Sequence, residues 1–359
     1  MNPDLRVLFY WNTEKVSRGC YSDASKDVQD HPEWWATSDD GKPIITSVGP
    51  ALNQSNPDLR TWWVDIASNV KHADGFFADS AGWPSLPGVS QERTADVALG
   101  KMKMLNQLRA VANGRPVIGN LLSTYPQIPD GNREFLPYVD GACAEHVGAF
   151  EQVIKTRTAT EHSSEQVPST GVDTYPKASS TINATRLAGL LTSMWDAAAV
   201  QNKTVLFRGW PGPVTQPIDR NGPTWPGPND PTSKGLAAQA DAALEYADWQ
   251  TGLWLVVATD RTFLSYNWWY NQDSGVYPCP RGECAAPEGW YPVFGKSPGA
   301  PLGTAMRYFR NGTLVGPIGS SIDRFTTDPK ASVYTREFEG VSVRVELEFL
   351  LAELTWKQA

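Results

Sequence analysis

Residues Ala73–Trp83 read ADGFFADSAGW. A run suited to burial, Gly75-Phe76-Phe77-Ala78, ends on an acid, Asp79, and then breaks into Ser80-Ala81-Gly82-Trp83. Short apolar, aromatic-rich runs bounded by turn chemistry are strands. The terminal acid has two explanations that stand side by side here. It caps the turn or helix that follows, or it is a catalytic carboxylate at the mouth of a parallel barrel, where strand ends gather.

Working upstream, Asn56-Pro57 opens a helix on which Leu59, Trp62, Trp63, Ile66 and Val70 fall near helical spacing. Before it lies HPEWWATSDDGKPIITS, a Trp-rich and Asp/Gly-rich loop with short pieces of structure, and before that RVLFYWN (Arg6–Asn12), a buried strand. Downstream, an amphipathic helix closes at Gly114. The strand RPVIGNLLS follows, then YVDGACAEHVG. A long polar loop from Lys155 to Ser180 precedes the helix ATRLAGLLTSMWDAAAVQN and the strand KTVLFRGWPG. A long helix from Ser233 then leads to RTFLSYNWWYN. Buried strands alternating with helices predict an α/β fold with a parallel sheet.

Polar or aromatic residues close strand after strand: Trp11-Asn12, Asp79, Asn120, Glu145-His146, Arg208-Trp210 and Asn267-Trp268. A (β/α)8 TIM-type barrel brings such ends to one rim, and that is the expected fold. The six strands found imply that one or two N-terminal βα units are lacking or concealed in loops. No G-x-G-x-x-G or Walker sequence supports a nucleotide-binding sheet. After Asn271 the pattern changes to short alternating runs with Asn-Gly and Glu-Gly turns. The expected organisation is a barrel over 1–271 and a loop with antiparallel β-hairpins over 272–359.

Composition narrows the function. The 359 residues are 41% hydrophobic and 19% charged, as in a well-packed globular chain, and a formal net charge of −8 disfavours nucleic acid and anionic membranes. Fifteen Trp, with 28 Pro and 30 Gly, suit long structured loops and a ligand groove, although most Trp are core or interface filler. Cys279 and Cys284 lie close together in a Pro/Gly-rich loop that suits a local disulfide. The histidines His31, His72, His146 and His162 are far from it, so no metal or other cofactor is expected. Sequons at Asn53, Asn183, Asn202 and Asn311 point weakly to the secretory pathway or an extracellular site, and no spanning helix or signal peptide is seen.

Asp79 and Glu145 share a context. In ADGFFAD and VDGACAE an Asp-Gly opens the strand and an acid follows four residues after the Gly. Glycoside hydrolysis needs two carboxyl groups, one to protonate the leaving oxygen and one to attack the anomeric carbon or activate water. Around them, Asn12, Asn120 and Asn267 suit sugar hydroxyls, and Arg208 suits a hydroxyl or a catalytic acid. Trp11, Trp83, Trp210, Trp268 and Trp269 suit sugar faces, with core packing as the competing role for each. Asp173 and Tyr175 are candidates for a lid, and His146 is expected to point away from Glu145.

NPDLRVLFYWN, HPEWW with DDGKPI, NPDLRTWWVDIA, ADGFFADS and VDGACAEH resemble the barrels of the hypothetical glycosyl hydrolase family 15. The late LGTAMRY and SVYTREFEGVSVRVEL resemble their β tail. More broadly, the two acids are placed as in barrels of the α-galactosidase and dextranase type. That resemblance implies Asp79 on the fourth strand as nucleophile, Glu145 on the sixth as acid/base, and RVLFYWN as the third strand. The leading expectation is a monomeric retaining glycosidase acting on a polysaccharide or oligosaccharide. The alternative is a carbohydrate-binding barrel without chemistry. A metal-dependent hydrolase lacks the clustered ligands it would need.

Overall fold

Six apolar runs form the strands of one parallel sheet: β1 (Leu8–Asn12), β2 (Gly75–Asp79), β3 (Val117–Leu122), β4 (Gly141–Val147), β5 (Thr204–Gly209) and β6 (Thr262–Tyr266). They lie side by side in chain order, β1-β2-β3-β4-β5-β6. These are the six strands expected from the sequence, and the α/β class stands. The structure, a computed structural model, describes residues 6–16, 21–46, 48–123, 131–147, 153–155, 180–182, 184–209, 247–266, 292–319 and 332–357. They fall into two compact units, one of Met1–Ala144 with Ala197–Leu206 and one of Glu145–Asp196 with Phe207–Ala359.

In the first unit, α1 (Ser22–Asp30), α2 (Pro57–Ser68) and α3 (Gln91–Val111) accompany β1, β2 and β3. Asn56 caps α2, its side chain accepting from the Asp58 and Leu59 amides, and Pro57 sits where no amide hydrogen is needed. The helix turns Leu59, Trp63, Val64 and Ala67 inward. α3 buries Val97, Met104, Leu105 and Leu108 along one stripe. Past its end, Asn113 and Gly114 take left-handed conformations (φ 53° and 78°) that stop it where the sequence predicts.

The twin Asp-Gly pairs have a structural task. The Asp74 Oδ2 accepts the Val7 amide at 2.8 Å, and the Asp140 Oδ2 accepts the Val117 amide at 3.0 Å. Each carboxylate therefore ties the start of its strand to the neighbouring chain. The glycines allow the close approach that follows: a Cβ on Gly75 would lie 2.7 Å from the Pro116 carbonyl oxygen, and one on Gly141 would lie 2.7 Å from that of Thr204. Gly141→Ala is expected to cost about 1–3 kcal/mol through this overpacking. Urea denaturation measures it, and an unchanged midpoint would show that the strands can part without cost.

The second unit holds α4 (Ala184–Trp195) and helical residues 247–257. It also carries an antiparallel sheet of β7 (Met306–Tyr308), β8 (Leu314–Pro317), β9 (Val333–Glu337), β10 (Val341–Glu346) and β11 (Leu351–Trp356). Its order is β8-β7-β9-β10-β11. The hairpins expected at the C-terminus are thus parts of one five-stranded sheet. Val341, Val343 and Val345 alternate inward. Arg336, also buried, donates from Nη1 to the carbonyls of Leu255, Val256 and Ala258, at 2.9, 3.1 and 2.7 Å. It closes the end of the 247–257 helix, and its burial pushes its guanidinium down to about 10. Among the described residues no helix is long and apolar enough to cross a membrane.

Candidate active site

Strand alternation sends Tyr10 and Asn12 to one face of β1 and Trp11 to the other. Asn12 is paired in register with Asp79, and Tyr10 with Phe77. The Asp79 carboxylate accepts four hydrogen bonds. Its Oδ2 takes the Tyr10 hydroxyl at 2.5 Å and the Asn12 Nδ2 at 2.8 Å. Its Oδ1 takes the Asn120 Nδ2 and the Ser80 amide, both at 2.8 Å. Every neighbour donates, which suits an acceptor-only group.

The cradle is itself held. The Asn12 Oδ1 accepts the amides of Glu14 and Lys15 at 2.8 and 3.1 Å, which fixes its amide group with Nδ2 toward Asp79. The Trp63 indole donates to the Asn12 carbonyl at 2.9 Å. Ser80, at φ 54°, turns the chain sharply after Asp79, and the Thr13 hydroxyl donates to its carbonyl at 2.6 Å. A left-handed serine carries strain that its surroundings must hold.

Lys101 adds to that hold. It lies on the buried stripe of α3 with no exposed surface. Its Nζ donates to the Glu14 Oε1 and to the carbonyls of Ser80 and Gly82, each at 2.8 Å. One cation therefore joins the loop after β1 to the loop after β2. Burial pushes the ammonium below the usual lysine range, while Glu14 and Asp79 pull it back toward the charged form.

In the second unit, Glu145 and Arg208 form an ion pair at 3.1 Å, with 17% and 28% of their side chains exposed. Glu145 is not the last residue of its strand, as the sequence suggests, because β4 runs on to Val147.

The other expected site residues divide. Asn12 and Asn120 both touch Asp79. Trp83, four residues beyond Asp79, is half-buried, and its amide donates to the Asn132 Oδ1 at 2.9 Å. Trp11 requires correction: it is 1% exposed, packs against Trp63 at a ring separation of 6.2 Å and meets Tyr21 edge-on at 4.9 Å. With neither ring face open, it is core and offers nothing to a sugar. Trp210, Asn267, Trp268 and Trp269 lie outside the described residues, as do Asp173, Tyr175, Cys279 and Cys284; of His146 only the backbone is described. Sequence reasoning missed Tyr10 and Lys101. Tyr10 stands two residues before Asn12 and hence on its face. Lys101 is a cation at an apolar-stripe position.

Comparison with solved structures finds similarity to glycoside hydrolases. An α-galactosidase from Thermus thermophilus, in complex with stachyose, is 20% identical over 31% of this chain and 23% of its own, with a TM-score of 0.24. The glycoside hydrolase domain of PelA from Pseudomonas aeruginosa is 13% identical, covering 72% of this chain and 77% of its own, with a TM-score of 0.39. A debranching enzyme from Nostoc punctiforme is 12% identical, covering 95% of this chain and 64% of its own, with a TM-score of 0.34. The chain thus spans less than two thirds of the length of the first and third of these. Comparison with curated proteins gives no match. The sequence profile described as hypothetical glycosyl hydrolase family 15 matches residues 1–205, more than half of the 359. The chain therefore belongs to the hypothetical glycosyl hydrolase family 15.

Proposed function

We propose that the protein is a retaining glycoside hydrolase acting on a polysaccharide or oligosaccharide, with Asp79 as nucleophile and Glu145 as acid/base. The observation that carries this is the Asp79 carboxylate, aimed from a strand end and held by four donors. In the first step an Asp79 oxygen bonds to the anomeric carbon as the glycosidic C–O bond breaks, and the leaving oxygen takes a proton from Glu145. In the second, Glu145 takes a proton from water, whose oxygen attacks the same carbon and frees Asp79. Arg208 orients the Glu145 carboxyl by donating from Nη1 to its Oε1, a bond that the protonated acid accepts as well as the carboxylate. Asn12 and Asn120 hold Asp79 still, and Trp83 is a candidate wall for the sugar. The six-stranded sheet is read as part of a (β/α)8 barrel over 1–271, with 272–359 as its appendage. The protein works as a monomer outside the cell.

One feature favours the alternative of a carbohydrate-binding protein without chemistry: four donors fill all the lone-pair positions a carboxylate has. Digestion of a polysaccharide array separates the two readings. Release of reducing ends from at least one polysaccharide is expected, and retention of sugars on the protein with no cleavage would select the binding reading. On the substrate so found, Glu145→Gln is expected to lower turnover about 10²–10⁴-fold when the leaving group needs a proton. The loss should be much smaller for aryl glycosides with acidic leaving groups. Equal losses on both would remove the acid role from Glu145.

A further inference from the structure

Glu14 stands on the loop after β1 and is tied at both ends to the groups that hold Asp79. Its backbone amide donates to the Asn12 Oδ1, and the Asn12 Nδ2 donates to the Asp79 Oδ2. Its Oε1 accepts the Lys101 Nζ, which also donates to the carbonyls of Ser80 and Gly82 in the chain leaving Asp79. An ammonium has three hydrogens, and these three acceptors use them all. Lys101, with none of its side chain exposed, therefore has nothing to offer a ligand. Glu14 does. Its side chain is 29% exposed, and among the described residues its one polar partner is Lys101, through Oε1. A counter-ion for Lys101 needs only that oxygen. The second, Oε2, is an equal acceptor left at the strand-end rim.

We propose that Glu14 is a substrate-binding residue whose Oε2 accepts a hydroxyl of the sugar that Asp79 attacks. The inference rests on the reading of Asp79 as nucleophile and adds the class of sugar: one whose hydroxyl at that position is free, neither removed nor substituted. The buried cation fixes the carboxylate before the sugar arrives, so little ordering is left for binding to impose. A hydroxyl donating to a carboxylate makes a charge-assisted bond, the stronger kind. An analogue without that hydroxyl is rejected, because the oxygen gives up water and gains no donor in return.

The test needs no turnover. The probes are 1,5-anhydrohexitols of the gluco, galacto and manno series, which have no glycosidic bond, each beside its monodeoxy forms at C2, C3, C4 and C6. Dissociation constants come from NMR titration of the full chain. In the parent, removal of one particular hydroxyl is expected to weaken binding about tenfold, as loss of a hydrogen bond to a charged group does. In Glu14→Ala that penalty is expected to vanish, so that the complete sugar and that deoxy form bind alike. A Glu14 that only supports the fold would weaken both equally and leave their ratio at the parent value, which would overturn the proposal. Glu14→Ala leaves a buried ammonium without its counter-charge, so the double variant Glu14→Ala with Lys101→Met, which removes the pair together, is titrated beside it. The same loss of penalty is expected there, and a cooperative urea transition confirms that each variant is folded. A parent chain that binds none of the probes, or binds every deoxy form as well as the complete sugar, would also overturn the proposal. The polysaccharide array reports on the hydrolase reading separately. Cleavage without the Glu14 selectivity overturns this inference alone, and the selectivity without cleavage supports it while the hydrolase reading fails.

Discussion

Asp79→Asn is expected to bind its sugar and to lose turnover by about 10³-fold or more, as removal of a covalent nucleophile does. The reason lies in what an amide cannot do. Asn occupies the same space but has no anionic oxygen to form the glycosyl bond. Its single acceptor can take one pair of the donors that now surround Asp79. Its Nδ2 must then face the other pair, and the Tyr10 hydroxyl is the neighbour that can rotate to accept, whereas the Asn12 amide is fixed as a donor. The amide is therefore expected to settle with Nδ2 toward Tyr10 and its oxygen toward Ser80 and Asn120. The fold survives at a cost of about 1–3 kcal/mol for the donor left facing a donor. Turnover and sugar retention measured on one preparation check both halves. Unimpaired turnover would remove Asp79 from the mechanism, and loss of binding together with turnover would make it a structural residue.

The second large effect is expected at Lys101. Lys101→Met keeps the length and the burial of the side chain and removes the charge. It leaves the Glu14 carboxylate and the carbonyls of Ser80 and Gly82 without the cation that now joins them. Breaking a buried pair by removing one partner costs about 3–5 kcal/mol. The Glu14 side chain is 29% exposed and can turn toward water, which places the expectation near about 3 kcal/mol, the lower end of that range. Urea denaturation of parent and variant measures it. Because the same ammonium holds the strained Ser80 turn, activity should fall more steeply than the folded fraction does. A variant of parent stability would mean that the two loops keep their geometry without the cation.

Much of the architecture was legible because burial in a parallel sheet leaves a plain mark. Runs such as VLFYW, GFFA and VIGN are apolar on both faces and end in turn chemistry, and each became a strand. The helix Ser22–Asp30 left no such mark: it buries only Ala24, Ser25 and Val28, and no side chain caps its start. The repeated Asp-Gly was legible as a pattern, but its meaning was not. Its carboxylates bind the amides of Val7 and Val117, contacts between residues far apart in sequence that no spacing rule reveals. The matching contexts therefore say that two strands start alike, and the case for Asp79 rests on the donors around it. For Trp11 the sequence contained the answer, since adjacent strand residues face opposite ways and Asn12 could reach the site only by sending Trp11 to the core. Tyr10 followed from the same rule. That Lys101 would point at three oxygens was beyond any periodicity, because its acceptors come from two loops.

Trapping of the glycosyl-enzyme tests the central claim most directly. The parent protein is incubated with a panel of 2-deoxy-2-fluoroglycosyl fluorides, whose intermediates form and then hydrolyse slowly, and intact mass and peptide mapping follow. The expected result is a mass gain of one fluoroglycosyl group, carried on Asp79 and absent from Asp79→Asn. A label on any other residue, or brisk cleavage of a natural substrate with inversion at the anomeric carbon, would contradict it.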